Sequence, residues 1–230
     1  GHPHHRSLYF AIDKVNGGNY WQEGLDRGRM VSQGPKVVET GDRVVIADVC
    51  DWVREGAPSP VRDYRRVTIE ARSHSIRTIQ FDIEIEFKID TEVLPSNHAL
   101  FSTEVLPELS AQFAGKIVDA EGNVDEAGTF GVKSVWCDYF GERHGINEGV
   151  AILQHPNNPC FPWQNFTRDY GFMSPTPMYW IPEEGLHYKA GDKVAMSFLV
   201  VVHGGTPKEA DIDSIYREWS ETHPIPASRP

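Results

Sequence analysis

The sequence has no apolar run long enough to cross a bilayer as a helix: Val194 to Val202 is its best stretch, far short of the roughly 18 to 20 residues a span needs. It is also poor in basic charge. Lys and Arg number 22 against 33 Asp and Glu in 230 residues, a formal net charge of −11, so the cationic footprint that phosphate backbones require is missing and nucleic acid is not an expected partner. Cysteine is scarce. Cys50, Cys137 and Cys160 lie far apart without CxxC spacing, specify neither a zinc ribbon nor a disulfide framework, and are expected as small buried hydrophobes. There is no GxSxG elbow and no phosphate-cradling glycine loop, which argues against a serine esterase and a nucleotide enzyme. The chain opens Gly1-His2-Pro3 without a charged-then-apolar leader, and the expectation is upstream processing or a fragment.

What is present is ordinary globular composition, 40% hydrophobic and 24% charged, which excludes disorder, collagen and coiled coil. Ile79, Phe81, Ile83, Ile85, Phe87 and Ile89 alternate with Gln80, Asp82, Glu84, Glu86, Lys88 and Asp90. A helix would scatter these apolar side chains around its circumference, whereas a strand buries them together, at roughly 1.5–3 kcal/mol each. A strand with one wet face is therefore predicted. The pattern recurs over Val61–Ala71, whose tail is expected in the core, and over Val194–Val202, with shorter strands at Val44–Val49, Lys116–Val118, Lys133–Trp136 and Gly149–Leu153 and one at Leu8-Tyr9-Phe10. Turn signals at Asn16-Gly17-Gly18, Thr40-Gly41-Asp42, Gly56-Ala57-Pro58, Glu121-Gly122-Asn123 and Gly191-Asp192 separate them, and many strands between regular turns predict an all-β sandwich or barrel. One helix is predicted at the end, with Thr206 as N-cap, Pro207 at the first helical position, Glu209 completing a capping box, and Ile212, Ile215, Tyr216 and Trp219 as its apolar stripe. No repeat or linker divides the chain, so residues 1–230 read as one domain.

Two polar segments stand out as candidate chemistry. His2-Pro3-His4-His5-Arg6 places three imidazoles and a guanidinium within five residues, groups that move protons or hold metals near neutral pH. No HExxH or other fixed-spacing ligand set accompanies them, so acid–base use is favoured over a metal site, without excluding a divalent metal. The second segment runs from Gln154 through His155, Asn157, Asn158 and Trp163 to Arg168, Asp169, Tyr170 and Gly171. Its three prolines, Pro156, Pro159 and Pro162, force a shaped loop. Indole and phenol rings pack on the C–H faces of pyranoses while carboxylates and amides bond hydroxyls, so Trp21, Trp52, Trp136, Trp163, Trp180, Tyr139, Tyr170 and Tyr179 fit a sugar site, with exposed roles for Asp51-Trp52 and Trp136–Tyr139 at strand ends. Glu104, Asp138 and Asp169 are the candidate bases. Asn165-Phe166-Thr167 matches a glycosylation sequon, which matters only in a secretory eukaryotic context.

His2 to Phe10, Val15-Asn16-Gly17, Tyr20-Trp21, Trp136 to Tyr139, His155 to Pro159 and Arg168 to Gly171 together resemble, in order, the motifs of the PmoA-like family of bacterial proteins, over the length from the first residue to the terminal helix. That family's label of methane oxygenase belongs to multi-helix membrane subunits, and this chain carries no spanning segment. The resemblance implies a galactose-mutarotase-like β-supersandwich, further strands ahead of the HPHHR motif that this chain lacks, company with sugar oxidoreductases, and a periplasmic or secreted setting. One departure is local: where an Arg is expected after His98-Ala99-Leu100-Phe101, this chain has Thr103-Glu104.

The resulting expectation is an antiparallel β-sandwich that carries out acid–base chemistry on a sugar, as a lyase, an epimerase or an enzyme of glycoside cleavage. His4, His5 and His155 would transfer protons, and Asp138 or Asp169 would fix a tautomer or act as base. Arg6, Asn158 and Arg168 would orient oxygens, with Trp163 and Tyr170 against the ring. No cofactor is expected. The rivals are a non-catalytic carbohydrate-binding module and a metal-dependent oxidoreductase using His2, His4 and a remote histidine.

Overall fold

The alternating segment around Ile83 is the spine of the larger of two antiparallel sheets. A computed structural model describes residues 7–24 and 26–224. His2, His4, His5 and Arg6 lie outside the described residues. The smaller sheet contains β1 (Leu8–Val15), β2 (Gly18–Asn19), β8 (Thr91–Val93), β9 (Ala99–Glu104), β13 (Asn165–Arg168), β14 (Phe172–Pro175) and β15 (Leu186–Tyr188). Their order is β13-β14-β9-β1-β8-β15, with β2 folded back on β1. The larger sheet contains β3 (Arg29–Ser32), β4 (Lys36–Glu39), β5 (Arg43–Val53), β6 (Val61–Ala71), β7 (Ile76–Phe87), β10 (Lys116–Asp119), β11 (Trp136–Arg143), β12 (Ile146–Gln154) and β16 (Lys193–Gly204). They run β10-β11-β12-β16-β7-β6-β5-β3, with β4 also on β5.

The inner faces of the sheets meet through aromatic rings. Phe10 of β1 lies 6.0 Å from Phe81 of β7, Phe81 lies 4.9 Å from Phe101 of β9, and Phe101 lies 4.7 Å from Phe198 of β16, all stacked. The expectation for β6 is reversed: Val61 and Asp63 at its head are buried, while Ile69, Glu70 and Ala71 at its tail are exposed. The 11- and 12-residue strands of the larger sheet outrun the smaller one, in which β1, at 8 residues, is the longest. Lys133–Trp136 is not a strand over its length, since β11 begins only at Trp136. Trp52 is not exposed at a strand end. It is fully buried, and its Nε1–H donates to Asp63 Oδ2 at 2.6 Å. Asp63 also receives Arg65 through two bonds, of 2.6 and 2.9 Å.

Two further apolar clusters lie on the outer faces. On the larger sheet, α2 (Ile212–Thr222) lays Ile212, Ile215 and Trp219 over Trp136, Ala151, Leu153, Leu199 and Val201. The capping box forms as predicted, with Thr206 N–H on Glu209 Oε2 at 2.8 Å and Glu209 N–H on Thr206 Oγ1 at 3.2 Å. It closes a separate turn, however: Asp211 adopts φ +55°, and the α-helix starts after it. The end of α2 also covers the supposedly wet face of β7. Asp82 is buried there, bonded by Ser197 Oγ at 2.6 Å and Gln80 Nε2 at 3.0 Å and lying 3.2 Å from His223 Nε2. On the outer face of the smaller sheet, Tyr9, Ala11, Trp21, Phe166, Phe172 and Trp180 form the other cluster. Among the described residues no helix is long and apolar enough to cross a membrane.

Candidate functional site

Alternation along β1 decides which groups share a surface. Phe10 and Ile12 enter the main core, so Tyr9, Ala11 and Asp13 project from the opposite face. There His98, just before β9, donates from Nδ1 to Asp13 Oδ2 at 3.2 Å, which fixes the tautomer and leaves Nε2 as the ring's acceptor. The imidazole is 35% exposed and the Asp13 side chain only 8%, the arrangement of a reachable base oriented by a shielded carboxylate. Among the described residues Asp13 Oδ1, which is buried, has no hydrogen-bond partner. The Trp21 ring sits 5.4 Å from His98 and 5.0 Å from Tyr9.

At the other end of β9, Glu104 N–H donates to Ser7 O at 2.9 Å, so the chain enters β1 beside Glu104. Burial first, then the charges of Glu104 and Tyr170, raise the Tyr9 phenol well above its ordinary value. Tyr170 is raised by burial and by Glu104, against an opposing pull from Arg168. Both phenols thus stay protonated at neutral pH and serve as hydrogen-bond donors. Arg168 lies over the rings of Phe130 at 4.5 Å and Phe166 at 4.2 Å and donates to Glu126 Oε1 at 3.1 Å. Tyr139 OH bonds the Arg168 carbonyl, fixing this strand end against the larger sheet. Glu126 belongs to α1 (Asp125–Thr129), whose first turn is held by reciprocal bonds: Glu126 N–H to Asp169 Oδ1 at 2.9 Å, and Asp169 N–H to Glu126 Oε2 at 3.0 Å.

Of the residues singled out from sequence, Trp21, Glu104, Arg168, Asp169, Tyr170, Tyr179 and Trp180 lie on this face. Asp169 holds α1 and is no base. The others are elsewhere. Trp163 is core between the sheets, 5.6 Å from Phe198, with its Nε1–H on the Pro159 carbonyl, so it presents no stacking face. Asn158 uses its whole amide on Ser197, accepting from N–H at 2.8 Å and donating to O at 3.0 Å. Asp138 is fully buried against His203 Nε2 at 2.7 Å. His155 lies beneath the end of α2, on the opposite side of the sandwich from Arg168. Trp136 is buried, with Nε1–H on Asp213 at 2.9 Å. The sequon residue Asn165 is buried, so its amide is closed to a glycosyl donor in the folded chain. Cys50 and Cys137 are buried as expected, but Cys160 is exposed.

His155 has a structural use for both nitrogens. Nδ1 accepts from Asn157 N–H at 3.1 Å, Nε2 donates to His223 O at 2.6 Å, and the ring meets Trp219 edge-on at 5.2 Å. Burial lowers its pKa, outweighing the His223 carbonyl. A depressed histidine contributes stability that is present above the unfolded value of about 6.5 and lost as pH falls toward the folded one. His155→Gln is therefore expected to cost about 1–3 kcal/mol at pH 7.5 and to cost less at pH 5, as urea unfolding at the two pH values would show.

Sequence reasoning missed Asp13, His98, Glu126 and Phe130. For Asp13 the signal was available in the alternation of β1, and for His98 in its place within a quoted motif. Glu126 carried none. Among the described residues no three of His, Cys, Asp and Glu gather where they could hold a metal ion.

In fold, the chain is similar to a galactose 1-epimerase from Lactobacillus acidophilus NCFM, at 9% identity and a TM-score of 0.45 over 87% of this chain and 80% of that one. It is also similar to a protein assigned as a kojibiose phosphorylase from the human microbiome, at 9% identity and a TM-score of 0.44, over 93% of this chain and 26% of that one. No protein of curated function matches the sequence. One family model matches residues 1–217.

Proposed function

This chain belongs to DUF6807, a family of unknown function, and we propose that it carries out proton transfer on a sugar at the outer face of the smaller sheet. The observation that carries the reading is the half-exposed His98 imidazole, fixed through Nδ1 by the buried Asp13 carboxylate and flanked by the Trp21 ring. His98 Nε2 takes a proton from a carbon next to a carbonyl or carboxylate, and the electron pair left behind is held as an enolate. The enolate is either reprotonated at that carbon, as in an epimerase, or forms a C=C bond while the C–O bond of the neighbouring carbon breaks and its oxygen leaves as an alcohol carrying a proton, as in a lyase. Tyr170, Tyr9 and Arg168 orient oxygens further along the same face, and His4, His5 and Arg6, which lie outside the described residues, remain part of the proposal as proton-transfer and orienting groups. The resemblance of the motifs to the PmoA-like family belongs to the same proposal.

Distance favours this over glycoside cleavage. Asp13 and Glu104 lie near opposite ends of the β1–β9 pair, at Ile12↔Ala99 and Leu8↔Thr103. Asp13 lies one residue beyond the first pair and Glu104 one beyond the second, so at about 3.3 Å per residue they are roughly 20 Å apart, beyond the ~5–9.5 Å that paired carboxylates span across a glycosidic bond. Glu126 and Asp169 are committed to each other, and Glu126 also to Arg168. A face of that length suits an oligosaccharide rather than one ring.

The test is deuterium exchange. Galactose, glucose, lactose, maltose, galacturonate and oligogalacturonates are incubated with the protein in D₂O and followed by ¹H NMR. Wild type is expected to exchange a C–H proton in at least one, and His98→Gln to slow that exchange by about 10²–10⁴-fold with the melting temperature held. Undiminished exchange in the variant, or none with wild type across the panel, overturns the reading.

A further inference from the structure

Between the sheets there is a space that the proton-transfer reading does not use. Where β7 ends and β16 begins, the sheets part around a cavity of about 190 Å³. Its walls include Ile85, Phe87, Leu186, Met178, Met196 and Trp163, drawn from both sheets and from the loops that close the end. Phe87 and Tyr188 are stacked nearly parallel, with centroids 3.9 Å apart, as one flat wall. The Trp163 indole N–H is already spent on the Pro159 carbonyl. Water needs two to four polar partners to stay in such a space, and apolar cavities of about 150 Å³ stay dry and accept benzene.

We propose that this cavity is a binding site for a small uncharged apolar group, an aromatic ring or an alkyl chain of about six carbons. Three features favour an occupant over a simple packing gap. The walls are apolar from both sheets, so an apolar guest recovers dispersion contacts that a void forfeits. Met178 and Met196 supply flexible, polarizable surface that adapts to a guest. The cavity also has an entrance, since its lining reaches the exposed, free Cys160, whose thiol lies close enough to raise the Tyr188 phenol, after burial. A guest thus enters without unfolding the core. Charged or hydroxyl-rich molecules are excluded, because nothing inside replaces their hydration. The cavity lies on the inner face of the smaller sheet, at Ile12 and Leu100, and His98 on its outer face, so each proposal can fail alone.

Methyl-labelled methionine gives the readout, because two of the four methionines line the cavity and Met30 and Met173 do not. Titration with toluene, observed by ¹H–¹³C NMR, is expected to shift Met178 and Met196 saturably and leave Met30 and Met173 in place, while glucose shifts none of these. Val194→Phe, which fills the cavity from β16, is expected to weaken toluene binding at least tenfold. As a check that needs no core substitution, Cys160 is labelled with a hexyl or with a trimethylammonioethyl thiosulfonate. The hexyl chain is expected to abolish the toluene shifts and raise the melting temperature, and the charged label to do neither. Absence of saturable shifts, equal shifts at all four methionines, or toluene binding unaffected by the hexyl label overturns the proposal.

Discussion

Asp63→Ala is expected to lower the free energy of unfolding by about 3–5 kcal/mol, the loss typical when one partner of a buried ion pair is removed. Asp63 is fully buried, and the Arg65 side chain it holds is 19% exposed. Its Oδ2 also satisfies the Trp52 indole N–H. Alanine would leave a guanidinium and an indole donor desolvated with no acceptor, and the Arg65 contact to Met30 sulfur at 3.1 Å cannot replace a carboxylate. Part of that cost is the stranded charge rather than the bond itself. Asp63→Leu combined with Arg65→Met should therefore recover most of the loss, since well-packed apolar replacements of buried pairs are often neutral. Urea unfolding of the single and double variants measures both. A single variant within 1 kcal/mol of wild type would show that Arg65 finds water on losing Asp63.

That pair also shows where sequence reasoning stops. The strands of the larger sheet were legible because burial of one face imposes period two, and Val61–Ala71 and the run through Ile83 were placed by that rule alone. Alternation does not say which end of a strand is covered, because cover comes from the partner sheet. Asp63 and Arg65 occupy inward positions of β6, and their ionic character gave no hint that the core would accept them. The short strands β3, β8, β14 and β15 went unread for a related reason. Three or four residues are too few to show a period.

The site was legible only where chemistry and strand geometry coincided. Arg168, Asp169 and Tyr170 follow one another at the end of β13 and reach one surface together. His155 and Trp163, in the same proline-rich segment, do not join them. The loop between β12 and β13 carries the chain from the α2 side of the larger sheet, through the core, to the smaller sheet, and its polar residues are used on the way as staples. Asp138 does lie against an imidazole, but that imidazole is the fully buried His203, whereas the exposed pair is His98 with Asp13. Residue type alone cannot separate two such pairs. Burial does.

Gly149→Ala should be nearly as damaging, by way of that buried pair. Gly149 sits on β12 between Phe140 of β11 and His203 of β16. A Cβ there would lie 2.6 Å from the His203 ring and 2.9 Å from Phe140 Cβ. Because position 149 is bare, the imidazole can cross β12 and donate to Asp138 at 2.7 Å. A methyl group forces the ring away and strands Asp138, for about 3–5 kcal/mol. The pH dependence identifies the cause. Burial alone would lower the His203 pKa, but the hydrogen bond and charge of Asp138 outweigh it and the net shift is upward. Burial likewise raises Asp138, against the opposing pull of His203. The folded pair therefore binds protons more tightly than the unfolded chain. Its stabilisation is fully present below the unfolded histidine value of about 6.5 and is lost as pH rises through the raised folded value, opposite in sign to His155. Thermal unfolding of wild type against His203→Gln from pH 6 to 9 should show the difference between them shrinking as pH rises, with Gly149→Ala following the His203 variant. A gap that widened with pH would mean that the imidazole is held neutral in the fold.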